Sequence, residues 1–279
     1  VPKELSTGEL RRELGVAVAT RQFELHYQPI VRLDTCELNS LEALLRWRIG
    51  DDAWIPPSTF VPLLEQMGLI AEVGEWIFDR AQADCEYWRS NGRCVRRVAI
   101  NVSPLQLRGR RSLAALREKC RAWVASDTRL EIELTESAFL DDSKELIQTL
   151  EKLAASGVAI ALDDFGCGYS SLRLLSFLPV CRLKIDASFT RQLACNLRAR
   201  VIVDGIIRLS ESLGIGPVGE GIETSEQLSI LRELGCEFGQ GFLCGPARSR
   251  EDLLPFLPQS DSRHYRPSTT YSSQEFLAV

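Results

Sequence analysis

The chain has 279 residues, with 33 Lys plus Arg against 38 Asp plus Glu, a formal net charge of −5 and an isoelectric point near 5.3. Hydrophobic residues make up 45% and charged residues 25%. That balance excludes collagen-like, disordered and small disulfide-rich classes, and a chain of this length buries roughly three-quarters of its unfolded surface without a disulfide or metal staple. The acidic balance argues against a sequence-blind binder of nucleic-acid polymers.

Residues 1–20 read as a helix with Leu10, Leu14, Ala17 and Val18 on one face, placed like a linker from an upstream domain. Residues 23–31 and 38–47 read as two strands around a turn at Asp34-Thr35, and strands this close in sequence pair antiparallel. Residues 71–90 carry a helical stripe of Val73, Ile77, Phe78, Ala81, Cys85 and Trp88. Strands are then expected at 97–102, 130–135, 158–163, 182–186, 215–220 and 238–243. Helices are expected at 142–156, 197–213 and 225–234, the last stopped by Gly235. From about Pro258 the composition turns to Ser, Thr, Gln and Arg, the mark of a solvated tail. The expected division is a helix or linker at 1–20, a domain at 21–258 and a polar tail at 259–279.

Eight strands alternating with helices over about 240 residues match a (β/α)₈ barrel. An open doubly wound sheet needs a Gly-rich phosphate loop after its first strand, and the sequence has none there. The start, Val1-Pro2-Lys3-Glu4, lacks the basic and apolar regions of a signal peptide. The apolar runs also fall short of the ~18 residues a membrane-spanning helix needs. Together these point to a cytoplasmic domain, although a longer parent protein could be membrane-tethered. Nine cysteines, an odd number without CxxC spacing, read as reduced and mostly buried thiols. Only His26 and His264 are available for imidazole chemistry, and neither sits in a catalytic context, so hydrolysis would run on carboxylates.

Polar residues fall where a barrel does its chemistry, at the C-terminal ends of strands. Glu42 lies in the second strand and Asn101 closes the third. Glu133 and Glu136 close the fourth, Asp163-Asp164 the fifth, and Lys184 with Asp186 the sixth. Glu220 and Glu223 follow the seventh, and Gln240 lies in the eighth. One such residue alone is ordinarily a helix cap or a solvated loop group. Converging carboxylates, however, repel unless cations neutralise them. Oxygen ligands without His or Cys favour Mg²⁺ or Mn²⁺, adjacent aspartates can bridge two ions, and a nearby lysine supplies fixed positive charge. That chemistry is metal-assisted hydrolysis of a phosphate ester.

The runs LEALLRW, NVSPLQL, IELTES, ALDDFGCGYSSL, LKID, GEGIET and QGFL occur in order over about residues 8–257, with YQPI at 27–30 and PSTFVPLLEQMGLI at 57–70. Together they resemble the EAL domain, a bacterial phosphodiesterase family that cleaves cyclic di-GMP to linear pGpG. The resemblance implies a modified (β/α)₈ barrel with one antiparallel strand near the N-terminus. It also implies metal ligands at Glu42, Asn101, Glu133, Asp163, Asp164 and Glu220. Lys184 would be catalytic, supported by Asp186, with Glu220 shared between metal and reaction. Gln28, Arg46 and Gln240 would contact the dinucleotide. Glu136 would steady the loop from Phe165 to Ser171, and Glu223 would sit behind the site. Further implied are a homodimer and upstream sensory or diguanylate cyclase domains. The alternative in this family is a receptor that binds cyclic di-GMP without hydrolysis, but such members typically lose site acids that this chain keeps. The chain departs from the family pattern at Cys167, where Thr is usual, at Cys181 for Asp, at Gly219 for Ala, and over Cys244-Gly245-Pro246-Ala247. The Cys167 thiol is expected to tune rate or respond to oxidation.

Overall fold

Alternation of apolar and polar residues builds the first hairpin. The computed structural model describes residues 6–50, 53–108, 110–124, 127–139, 144–166 and 171–259. In Phe23–Arg32 (β1), Phe23, Leu25 and Tyr27 are buried while Glu24 is exposed. Its partner Leu38–Ile49 (β2) pairs antiparallel, placing Gln28 opposite Glu42 and Glu24 opposite Arg46. A short strand, Ala53–Ile55 (β3), extends β2 outward as an antiparallel flap.

Five more parallel strands and their closing partner complete the sheet: Arg97–Asn101 (β4), Arg129–Thr135 (β5), Ala159–Phe165 (β6), Arg182–Ile185 (β7), Gly216–Gly219 (β8) and Phe238–Gln240 (β9). The order is β1-β9-β8-β7-β6-β5-β4-β2-β3, and the β1–β2 pairing closes eight of these strands into a barrel. β1 runs antiparallel to both of its neighbours, β2 and β9. This is the modified barrel expected from the sequence.

The helices form the outer ring: Thr7–Thr20 (α1), Pro57–Gln66 (α2), Ile70–Ser90 (α3), Arg110–Val124 (α4), Lys144–Ala155 (α5), Ser171–Leu175 (α6), Ala187–Thr190 (α7), Leu197–Leu213 (α8), Ser225–Glu233 (α9) and Arg250–Leu253 (α10). Local chemistry sets several of their ends. Ser6 and Glu9 form a capping box on α1, Asn196 caps α8, and Gly214 ends α8 in the left-handed conformation.

The short helices α6, α7 and α10 were not expected from the sequence, and neither were α2, α4 and β3. α2 contains Pro57 and Pro62, which read as breakers, yet Pro57 opens the helix, where a missing N–H costs nothing. In α4 the Arg and Lys residues mask an apolar stripe of Leu113, Leu116, Cys120 and Trp123, all buried. β3 is too short to show a period. The last strand is shorter than expected. It ends at Gln240, and Gly241 then passes so close to the Ile222 backbone that a Cβ would lie 2.2 Å from its nitrogen.

Two separate apolar clusters result. The large one fills the shell between strands and helices and includes Leu10, Leu14, Ala17 and Val18 of α1. The small one lies inside the barrel and consists of Ile30, Val218 and Phe238. Among the described residues the shell also holds a buried acid. Asp84 of α3 is fully buried, and accepts from the Tyr27 hydroxyl at 2.7 Å, Arg80 Nε at 2.9 Å and Arg250 Nη1 at 3.0 Å. It ties α10 and β1 to α3. Asp84→Ala leaves the buried Tyr27 hydroxyl without its acceptor and is expected to cost about 1–3 kcal/mol, while exposed Glu251→Ala costs little. Urea melts check this, and equal midpoints for Asp84→Ala and the parent would show that the tie carries no stability.

Candidate active site at the barrel mouth

The pleat decides which residues point inward. Residues two apart on a strand share a face, so the lumen is lined in layers. The lower layer contains Ser40, Arg97, Glu131 and Arg182. Glu131 is fully buried, with Arg97 Nη1 at 2.6 Å and Arg182 Nη1 at 3.3 Å. Arg182 also donates to Ser40 Oγ at 2.7 Å and to Asn39 Oδ1, and its guanidinium lies 4.6 Å from the Phe238 ring centroid.

The upper layer, one pleat above, opens at the mouth. Lys184 Nζ sits 2.9 Å from Glu133 Oε2, 2.9 Å from Glu220 Oε1, 3.2 Å from Asp163 Oδ1 and 3.3 Å from Glu42 Oε2. Gln240 Nε2 donates to Glu42 Oε2 at 2.6 Å and to Gln28 Oε1 at 3.1 Å, and Asn101 Nδ2 donates to Glu42 Oε1 at 2.6 Å. Carboxylate oxygens of Asp163, Asp164 and Glu220 all lie within 4.8 Å of one another. Asp164 adopts a left-handed φ of 54°, uncommon for a non-glycine residue, as β6 ends. Its amide donates to Asp163 Oδ1 at 3.0 Å.

The electrostatics follow from burial and crowding. Burial opposes the Glu42 charge, but Lys184 and the Gln240 and Asn101 amides together hold its carboxyl below the usual value. Burial and then Glu42 push Glu133 well up, against the pull of Lys184. Burial pushes Glu220 up to about 8, Lys184 opposing and Asp163 and Glu42 adding to the rise. Burial and Asp163 raise Asp164. Lys184 is itself buried, which disfavours its charge, yet Asp163, Glu133, Glu220 and Glu42 raise it well above an ordinary lysine. One ammonium therefore faces more acids than it can neutralise. Glu133 Oε1 and Gln240 Oε1 are buried without a hydrogen-bond partner among the described residues. Unpaired oxygens, surplus negative charge and an all-oxygen donor set fit hard divalent cations.

The remaining expected residues lie around this centre. Asp186 follows β7, caps α7 by accepting from the Ser188 amide at 2.9 Å, and adds negative charge near Asp164. Glu136 Oε1 accepts from the Gly166 amide at 3.1 Å, holding the end of β6. Glu223 lines a cavity of about 270 Å³ with Gln28, Glu42, Glu220, Gln240 and Phe242. Arg46 lies on β2 above the mouth, half-buried, beyond that cavity's lining. Cys167 and His264 fall outside the described residues. The Arg182–Glu131–Arg97 layer was missed from sequence, although Arg182 and Glu131 stand two residues before Lys184 and Glu133, the signal of a shared face.

Comparison with known proteins places this geometry. The EAL domain family matches residues 11–247, and the chain belongs to that family. The bifunctional diguanylate cyclase/cyclic di-GMP phosphodiesterase MucR of Pseudomonas aeruginosa is 38% identical over 88% of this chain and 36% of its own length. The chain spans about a third of the length of the curated relatives it matches first. The solved MucR phosphodiesterase with cyclic di-GMP is 38% identical, has a TM-score of 0.80, and is matched over 88% of this chain and 99% of that one. The EAL enzyme Bd1971, solved with cAMP and cyclic di-GMP, is 30% identical with a TM-score of 0.81, covering 89% of this chain and 68% of the other. Among the described residues, no helix is long and apolar enough to cross a membrane.

The raised carboxyls give a pH signature. With chelator present, unfolded Glu220 ionises as an ordinary glutamate, near 4.5, while the folded group keeps its proton up to about 8. The unfolded state therefore binds fewer protons across that window, and stability falls as pH rises through it. Melting temperature in EDTA is expected to drop from pH 5 to pH 8, and Mn²⁺ should remove most of the drop by binding the ionised form. A melting temperature in EDTA that rises over that range would contradict the crowded-acid picture.

Proposed function

We propose that this chain is a phosphodiesterase that hydrolyses cyclic di-GMP to linear pGpG. The observation that carries the reading is the upper layer: Glu42, Glu133, Asp163 and Glu220 meeting on Lys184, with Asp164 and Asn101 beside them, at the mouth of a barrel. Glu42, Asn101, Glu133, Asp163, Asp164 and Glu220 would hold two Mg²⁺ or Mn²⁺ ions, which supply Lewis acidity to the phosphate and to an attacking water. Lys184 stays protonated and faces the charge that grows on the phosphoryl oxygens, the arrangement that favours a transition state over a ground state. Gln240 bridges Glu42 and Gln28 and so fixes the wall beside the reacting phosphate. Gln28 and Arg46 hold the dinucleotide. Asp186 and Glu136 keep the ends of β7 and β6 in place, and Glu223 borders the cavity. Water attacks phosphorus, one P–O3′ bond breaks, and the proton passes to the leaving oxygen. Attachment to sensory or cyclase domains belongs to the same proposal, supported by the much greater length of the relatives; assembly as a homodimer and a cytoplasmic location are proposed with it on the family resemblance alone.

Incubation with cyclic di-GMP and Mg²⁺ or Mn²⁺, followed by chromatography, is expected to yield pGpG and to stop with EDTA. Binding without turnover in either metal would instead select the receptor reading. Glu42→Ala should abolish most activity with the circular dichroism unchanged.

Lys184→Ala should lower the saturated single-turnover rate on the order of 10²–10³-fold, while cyclic di-GMP affinity measured in Ca²⁺ stays within a few-fold. A hundredfold weaker Kd with an unchanged rate would make Lys184 a substrate clamp and not a catalytic group.

A further inference from the structure

The β1–β2–β3 sheet rises beyond the barrel, and its two faces differ. Phe23, Leu25, Tyr27, Leu45 and Trp47 on one face are buried against the helices. The other face continues the inward face of the barrel. Gln28 and Glu42 lie opposite each other at the mouth, His26 and Leu44 come next, then Glu24 and Arg46, and finally Arg48 opposite Trp54 of β3. Nothing among the described residues covers its outer end, where Glu24, Arg48 and Trp54 are exposed. Trp54 is 47% exposed, while Trp47, Trp88 and Trp123 are at most 2% exposed.

The indole is also held. Its ring centroid lies 5.4 Å from that of His26 at an interplanar angle of 68°, an edge-on contact, and the Arg48 guanidinium carbon lies 5.4 Å from its centroid. His26 stands about 7 Å along β1 from Gln28 at ordinary strand rise. The indole therefore leans back along the wall toward the cavity that Gln28 lines. An exposed tryptophan held in a T-shaped ring contact and backed by a cation offers an aromatic face to a flat ligand. Arg46 and Arg48 on the same wall complement an anionic one.

We propose that Trp54, held by His26 and Arg48, is a stacking platform for one guanine base of cyclic di-GMP. The proposal rests on the reading that cyclic di-GMP is the substrate. With a phosphate at the Lys184 layer, the ribose carries its base away from the metal-binding acids and up this wall. The platform contributes to affinity and to the choice of a nucleotide ester, and it takes no part in breaking the P–O bond.

The test uses the whole chain and its Trp54→Ala and Trp54→Phe variants. Cyclic di-GMP affinity is measured by calorimetry in Ca²⁺, with intrinsic fluorescence alongside. Turnover of bis(p-nitrophenyl) phosphate, a diester with no nucleobase, is measured in Mn²⁺. Base stacking of ordinary strength predicts a Kd about tenfold weaker in Trp54→Ala, with Trp54→Phe in between. Fluorescence quenching by the ligand should be lost in both variants, and turnover of the base-free diester should stay within twofold. A Trp54→Ala Kd within twofold of the parent overturns the platform. So does an equal loss of nucleotide affinity and base-free turnover, which would mark general damage to the mouth. A parent chain that does not bind cyclic di-GMP at all overturns the platform and the substrate reading together. A parent that binds it equally well with or without Trp54 overturns the platform alone.

Discussion

The barrel mouth is organised around a buried ammonium. Lys184 is 1% exposed and touches carboxylates from β2, β5 and β6 and from the residue after β8. Barrels of this kind ordinarily fill their lumen with layers of branched aliphatic side chains. Here the interior apolar cluster is reduced to Ile30, Val218 and Phe238, and charged groups occupy much of the remainder. A buried ion pair is weak evidence for stability, because desolvation offsets its attraction, and a surplus of acids is worse. Such a lumen persists because the shell outside it is apolar and continuous, so strand geometry does not depend on the charges it presents. The energetic conflict is confined to the end of the barrel where ligands enter.

The identity of the central cation matters. A guanidinium would impose a flat fork with fixed directions, whereas an ammonium is a compact charge with rotatable donors that can serve acceptors arriving from different strands. The lower layer uses the opposite choice. Arg182 reaches Glu131, Ser40 and Asn39 at once and lies over the Phe238 ring, a planar arrangement suited to a floor. Glu131 is shared by Arg182 and Arg97, so the floor satisfies its own acid and leaves Lys184 to the layer above. The two layers differ in function although β2, β5 and β7 each supply both from residues two apart.

Much of this was legible in the sequence because strand ends are readable. Hydrophobic runs closing on Glu133, Asp163, Lys184 and Glu220 locate both the strands and the mouth, and the hairpin at 23–47 announces the antiparallel strand. What the sequence hid has physical causes. α4 carries its apolar stripe among so many Arg and Lys residues that charge obscures the period. α2 opens on Pro57, which suits a first helical position, and continues through Pro62, where a breaker is expected. Arg182 looks like a strand-flanking charge, and its burial depends on Glu131, which is 51 residues away. Trp54 belongs to a three-residue strand whose meaning comes from pairing with Arg48.

Three of the positions at which this chain departs from its family's pattern lie away from the charged upper layer. At Gly219 a Cβ would lie 2.8 Å from Leu231 Cδ1, so the smaller residue is matched by a leucine of α9 that occupies the space. Cys181 is exposed just before β7, at the end of the barrel opposite the mouth. Cys244 is buried, where desolvation pushes its thiol up to about 12 and leaves it a small apolar group. At Gly219 the change is met by packing, which tolerates exchange when volume is compensated nearby. The upper layer has no such freedom. Each acid there is balanced against Lys184 and the other acids, and an amide or alanine in place of one would alter the charge felt by all of them.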